Sequence, residues 1–208
     1  MSVIEYGLDA SRNIVKQWMH SLALVVQKLS NGKVSPDAIT ITGLLMHIPI
    51  AYLIATASFY WAAGLLVVFG LFDSLDGALA RLQKNASSRG MLLDASTDRM
   101  KEVLLYSGAA YYVASVAPTM TFWAVLACGA SICVSYIKAK GETAVAKSDL
   151  TPNEVNRLFQ AGIFRFEVRM AILVIGLLAN QIVATLILIA ITSTYTAIER
   201  LVLISRKL

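Results

Sequence analysis

One stretch, DSLDGALARLQKNASSRGMLLDASTD at residues 73–98, places four aspartates in a chain that is otherwise strongly apolar. On a helix, Asp73 and Asp76 share one face, and on the next helix Asp94 and Asp98 lie four residues apart on one face. Carboxylates are costly in a bilayer-spanning helix, so four of them at helical spacing indicate shared cations that neutralise them. The stretch therefore predicts two facing helices around a two-metal site for phosphate chemistry.

The ligand set consists of carboxylates, which favours particular metals. Hard divalent cations such as Mg²⁺ or Mn²⁺ prefer carboxylate oxygen and share their coordination shell with water and substrate phosphates, whereas zinc prefers His and Cys. Arg81 can fork onto phosphate oxygens, and the missing side chains at Gly77 and Gly90 leave room for a nucleotide. The alternative is a set of membrane-boundary charges paired with neighbouring arginines, which would need no such spacing.

The spacing resembles the signature of the CDP-alcohol phosphotransferases, D-x2-D-G-x2-A-R-x8-G-x3-D-x3-D, with every fixed position present. The resemblance implies an enzyme that transfers a lipid phosphate group from CDP-diacylglycerol or a similar CDP-lipid to an alcohol, releasing CMP. It implies that Asp73 and Asp94 bridge two divalent cations, Mg²⁺ or Mn²⁺. Asp76 would hold one cation, and Asp98 would hold the other and act as the general base. The CDP part of the donor would contact Pro36, Asp37, Ala38, Ile39, Gly77, Arg81 and Ser87.

The composition of the chain is that of a polytopic membrane protein. Hydrophobic residues make up 57% and charged residues 15% of its 208 residues, compared with about 45–50% and about 25% in soluble domains. We predict an all-α fold with a single domain over residues 1–208 and six spans, because each span needs about 20 apolar residues. The spans are predicted at 41–60, 61–83, 91–117, 118–139, 165–181 and 182–203.

Charged residues are confined to one side of this predicted bundle. The turns near 54–64, 114–122 and 176–186 carry none. This requires an even number of crossings, and the Lys and Arg excess marks the charged side as cytoplasmic. We therefore expect a multi-pass protein of the cell membrane, with both termini and the active site in the cytoplasm. The net charge of +5 suits anionic lipid headgroups better than nucleic acid, because the chain lacks a soluble basic module.

Residues 2–33 are predicted to form an amphipathic helix in the headgroup plane of the bilayer. Their apolar residues recur at spacings of three and four, which is typical of such a helix. These residues are Ile4, Leu8, Val15, Trp18, Leu22, Val25 and Leu29. The alternative is a helix that packs on its own protein.

Four basic residues are predicted to bind the acceptor: Lys138, Lys140, Arg165 and Arg169. Cations near the metal face suit an anionic acceptor, although basic residues also anchor the cytoplasmic side of membrane proteins. Lys138 is spaced for an ion pair with Glu142. Residues 135–138 with Asp98 and Arg99 resemble the branch of phosphatidylinositol-phosphate and archaetidylinositol-phosphate synthases. The expected acceptor is therefore inositol phosphate, a sugar-alcohol phosphate.

Other functions are compatible with the same sequence features. Glycerol 3-phosphate or serine as the acceptor would make the protein a phosphatidylglycerophosphate synthase or a phosphatidylserine synthase. A cation-coupled transporter also buries aspartates on facing helices. The glycine breaks and inverted repeats that support transport are not found in the sequence, so transport is the weaker alternative. The family resemblance further implies a homodimer.

Overall fold

The computed structural model describes residues 17–85, 87–145 and 166–206. Within these ranges the regular elements are all helical, as predicted. The helices are α1 (17–29), α2 (Pro36–Ala55), α3 (Phe59–Gly70), α4 (Phe72–Leu82), α5 (Ser88–Val116), α6 (Thr121–Val145), α7 (Phe166–Leu178) and α8 (Ile182–Ser205), with a short 3₁₀ turn at Pro118–Met120.

Four helical stretches are long and apolar enough to cross a membrane: Pro36–Ala55, Phe59–Leu82, Pro118–Ala144 and Ile182–Ser205. The second of these joins α3 and α4. They overlap four of the six predicted spans and confirm the class of helical membrane protein. Helix α5 carries many charges in its first half, and α7 has 13 described residues, so the count of six spans stays a prediction.

The first span begins and ends about five residues earlier than predicted. Helix α2 begins at Pro36, a residue favoured in the first turn because it has no N–H to leave unpaired. Ser35 precedes it and its Oγ accepts a hydrogen bond from the Ala38 N–H at 3.2 Å, as a helix cap does. The helix ends at Ala55, and Ala57 then adopts a left-handed backbone conformation with φ of 59°. Both differences follow from local backbone chemistry that hydropathy does not register.

The chain divides into two compact units. The first combines Met1–Pro49 with Gly64–Lys101, and the second combines Ile50–Ala63 with Glu102–Leu208. The core of the first unit draws on three helices and consists of Met19, Ala23, Ile39, Leu75, Ala78 and Leu79. One face of α1 therefore packs on α4, the helix that carries the first two aspartates.

Polar contacts fix α1 and the following turn to the end of α4. The side-chain amide of Gln83 donates to Gln27 Oε1 at 2.8 Å and to the Val34 carbonyl at 2.9 Å. The other face of α1 is apolar and exposed, with Trp18 73% and Leu29 81% accessible. One face of α1 therefore packs on the protein itself, whereas its second apolar face is not covered by the described residues.

The second unit is built on close helix approaches and buried charge. A Cβ added at Gly108 would lie 2.3 Å from the Ala51 carbonyl oxygen, so α5 and the end of α2 touch through their backbones. Small residues permit this kind of approach between helices in membranes. Glu102 and Arg169 are 0% and 1% exposed and form an ion pair at 2.7 Å. Buried charges in such a protein are paired because an isolated charge is costly there.

Candidate active site

The aspartates of α4 and α5 lie together in the first unit. Asp73, Asp76 and Asp94 each offer one carboxylate oxygen, and these oxygens all lie within 4.8 Å of one another. The two helix faces that the spacing predicted to oppose one another therefore do so. Asp98 lies one turn further along α5, outside this group of three.

The sequence of α4 explains why its carboxylates point to this place. Leu75, Ala78 and Leu79 are buried in the core with α1 and α2. On a helix this leaves Asp73 and Asp76 on a different face, which turns toward α5. The buried apolar residues therefore fix the rotation of the helix about its axis, and the helical period then fixes the direction in which Asp73 and Asp76 point.

The environment of these carboxylates suits a bound cation. Asp94 Oδ1 is buried without a hydrogen-bond partner, and such orphaned polar atoms are rare in proteins. Asp76 is 6% exposed and accepts a hydrogen bond of 2.5 Å from the Thr40 hydroxyl. Three carboxylates at this distance repel one another unless positive charge lies between them. An oxygen-only donor set of this kind fits a hard divalent cation such as Mg²⁺ or Mn²⁺.

Lys101 is part of the site, although the spacing of the aspartates did not predict it. Its side chain is 0% exposed, and its ammonium forms a short hydrogen bond to Asp73 Oδ1 and lies 3.3 Å from Asp98 Oδ1. Asp98 Oδ2 lies 3.7 Å from Arg99 Nη2. The position of Lys101 three residues after Asp98 was the available signal, because residues at that spacing lie on one helix face. Thr40, the partner of Asp76, had no comparable signal.

Three of the residues predicted to bind the CDP group, Gly77, Arg81 and Ser87, lie within α4 or directly before α5. A Cβ at Gly77 would lie 3.4 Å from Arg81 Nη1, so the guanidinium of Arg81 extends beside the bare backbone of Gly77. Arg81 is exposed and can reach a ligand. Ser87 Oγ accepts a hydrogen bond from the Gly90 N–H at 3.1 Å and caps α5. Its hydroxyl hydrogen remains able to donate.

The first turn of α2 is only partly accessible. Ile39 belongs to the core and Pro36 is buried, whereas Ala38 is exposed. The Asp37 carboxylate lies 3.9 Å from Arg89 Nη2, with both side chains accessible. A donor contact at this turn would therefore come from exposed atoms of Asp37 and Ala38, and the roles assigned to Pro36 and Ile39 stay predictions.

The residues predicted to bind the acceptor occupy different environments within the second unit. Lys138 and Glu142 form the expected ion pair at 3.8 Å, and both are about half exposed. Lys140 is exposed, and its Nζ lies 5.9 Å from the centre of the Tyr136 ring. Arg165 lies outside the described residues. The Arg169 guanidinium is buried, and its Nε and Nη2 donate to Glu102 Oε1 at 3.0 and 2.7 Å.

Residues 33–198 match the family described as CDP-alcohol phosphatidyltransferase, and the chain belongs to this family of transferases. It is 30% identical to the phosphatidylinositol phosphate synthase of Corynebacterium glutamicum, over 82% of this chain and 78% of that one. It is 24% identical to the archaetidylinositol phosphate synthase of Methanothermobacter thermautotrophicus, over 96% of this chain and 98% of that one.

Solved structures share the fold. The phosphatidylinositol phosphate synthase of Mycobacterium tuberculosis with CDP-DAG bound has a TM-score of 0.76 and 23% identity, covering 89% of this chain and 92% of that one. The same enzyme in complex with manganese and citrate has a TM-score of 0.77 and 23% identity, covering 90% and 88%. The family assignment agrees with the acidic cluster, which is suited to divalent metal.

Proposed function

We propose that this protein transfers a phosphatidyl-type group from a CDP-linked lipid to a hydroxyl of inositol phosphate, with release of CMP. The observation that carries the proposal is the group of three carboxylates within 4.8 Å, with a buried Asp94 oxygen that has no partner. Membership of the family supports the donor and the reaction type. The names of the relatives, which are inositol phosphate lipid synthases, support the acceptor.

The proposal includes two divalent cations, Mg²⁺ or Mn²⁺. Asp73 and Asp94 would contact both, Asp76 would hold one, and Asp98 would hold the other. Bound in this way, the cations would neutralise the diphosphate of the donor and stabilise charge on the departing CMP. The manganese complex of the Mycobacterium tuberculosis enzyme supports this assignment by analogy of fold.

The protein's own groups would then position the reactants. Asp98 would accept the proton of the acceptor hydroxyl, whose oxygen forms a new bond to the lipid-side phosphorus as the bond to CMP breaks. Arg81 would hold phosphate oxygens of the donor in line for this displacement. The exposed guanidinium beside Gly77 supports that role, since it lies next to backbone that a ligand can approach closely.

The acceptor would be bound by the basic residues of the second unit. Lys138 and Lys140 are exposed and carry ammonium groups that suit a phosphate. Arg165 and Arg169 would complete this basic set, and Arg169 also forms a buried ion pair with Glu102. Glycerol 3-phosphate would use the same basic residues, whereas serine would not need them.

We also propose that the chain forms one domain of the cell membrane with six spans. Both termini and the active site would lie in the cytoplasm, and two copies would form a homodimer. The four apolar helices support a multi-pass protein. The exposed stripe of Trp18, Leu22, Val25 and Leu29 on α1 supports a position of this helix in the headgroup layer. The absence of charge from alternate turns supports the orientation.

The test is release of CMP by the purified protein in nanodiscs containing CDP-diacylglycerol. Inositol phosphate, glycerol 3-phosphate, serine and free inositol are offered separately, with and without Mg²⁺. We expect activity with inositol phosphate that EDTA abolishes, and loss of activity in Asp94→Asn with an unchanged helical content. Glu167→Gln, an exposed acidic residue on α7, is the matched control.

Each other outcome has a distinct meaning. Preference for glycerol 3-phosphate would assign the protein to that branch of the family. Preference for serine would contradict an acceptor site made of the four basic residues. Near-normal turnover by Asp94→Asn would show that the cluster is not the metal site. Cation flux in liposomes without any CMP release would instead support transport.

A further inference from the structure

Lys101 is a buried cation placed between carboxylates of two helices. It lies on α5, and its ammonium contacts Asp73 on α4 and Asp98 on its own helix. The side chain is fully buried, and charged side chains are buried in this way only when they are paired. A lysine ammonium is a compact charge with three donors, so it can bind two carboxylates at once.

The four aspartates differ in whether a positive charge contacts them. Asp73 and Asp98 share the positive charge of Lys101. Asp76 has the Thr40 hydroxyl, which is neutral, and Asp94 Oδ1 has no partner. Both proposed ions would share Asp73 and Asp94, so their two positions differ in the remaining aspartate: Asp98 contacts the cation Lys101, whereas Asp76 contacts the neutral Thr40 hydroxyl.

We propose that Lys101 is an internal cation that competes with the divalent ion that Asp98 would hold, because its ammonium contacts both Asp98 and Asp73. The inference rests on the proposed function, which places two ions among these four aspartates. It predicts that the two ions bind unequally: the ion at Asp76 tightly, and the ion at Asp98 weakly, because that ion shares both Asp73 and Asp98 with Lys101. Lys101 would thus set the affinity of the second ion.

The sign of the effect separates competition from simple support. If Lys101 only held Asp73 and Asp98 in place, its removal would weaken ion binding. If it competes, removal of a positive charge in contact with two ligands strengthens binding, because like charges at this distance repel. Lys101→Met keeps the length and most of the volume of the side chain and removes the charge.

The measurement is Mn²⁺ binding followed by electron paramagnetic resonance of the free ion, in detergent and without substrate. We expect the unaltered protein to show one tight and one weak class of ion. In Lys101→Met the weak class should tighten at least about tenfold, which corresponds to about 1.4 kcal/mol. Lys101→Arg keeps the charge and should leave the weak class weak. Lys28→Met removes an exposed lysine of α1 and should change neither class.

The experiment distinguishes failure of this inference from failure of the metal assignment. If the unaltered protein binds no Mn²⁺, or if Asp94→Asn keeps the tight class, the proposed metal site is wrong. If the unaltered protein binds two ions but Lys101→Met leaves the weak class unchanged or weaker, competition is refuted while the metal site stands. Lys101→Gln serves if the Met variant does not fold, and the rise in its thermal unfolding temperature on adding Mn²⁺ should exceed that of the unaltered protein.

Discussion

Loss of either partner of the Glu102–Arg169 ion pair is expected to destabilise the protein severely. The two side chains are 0% and 1% exposed, and Arg169 donates twice to one carboxylate oxygen. Removal of one partner leaves the other charge buried without its counter-charge, which costs about 3–5 kcal/mol. For a chain of this length, such a loss corresponds to a fall in the unfolding temperature of about 6–20 °C.

Thermal unfolding in detergent, followed by circular dichroism, measures this effect. We expect the large fall for Glu102→Met and for Arg169→Met separately. The double variant Glu102→Met with Arg169→Met should recover most of the loss, because apolar side chains of similar volume can replace a buried pair. Glu142→Gln breaks the exposed pair with Lys138 and should cost only about 0.3–0.5 kcal/mol.

Two results would refute this reasoning. A loss below about 1 kcal/mol in both single variants would place the pair in the class of exposed ion pairs. A double variant that is as unstable as the sum of its parts would show that the two charges do not depend on one another. The same series tests the acceptor role of Arg169, since a folded double variant with a normal acceptor KM would remove Arg169 from the binding set.

Two further predictions concern the acceptor and the orientation. Arg165→Ala should raise the apparent KM for inositol phosphate about ten- to a hundredfold, because a lost charge-assisted contact costs about 1.5–3 kcal/mol, while the KM for the CDP-lipid changes little. An equal effect on both substrates would contradict an acceptor contact. A cysteine placed at Thr121 in a variant without Cys128 and Cys133 should be labelled from outside the cell, and one at Ser148 should not. The opposite labelling pattern would invert the proposed topology.

Local patterns in the sequence were sufficient for the all-helical class, for the break between α5 and α6 and for the approach of three of the four aspartates. The 3.6-residue period predicts Asp73 and Asp76 on one face of α4 and Asp94 and Asp98 on one face of α5, and the structure brings the first three of these carboxylates together. The span boundary predicted at 117 and 118 lies where α5 ends, at Val116. Such features depend on residues within one or two helical turns of each other, so they can be predicted from spacing along the sequence.

The partners of the buried polar groups came only from the tertiary structure. Thr40 and Asp76 are 36 residues apart, and Glu102 and Arg169 are 67 residues apart. Lys101 is near Asp98 in the sequence, but its stronger contact is with Asp73, 28 residues away. The sequence determined that these charges are too costly to bury alone, whereas the packing of helices decided which group neutralises each one, because helical period specifies a face and not the helix that covers it.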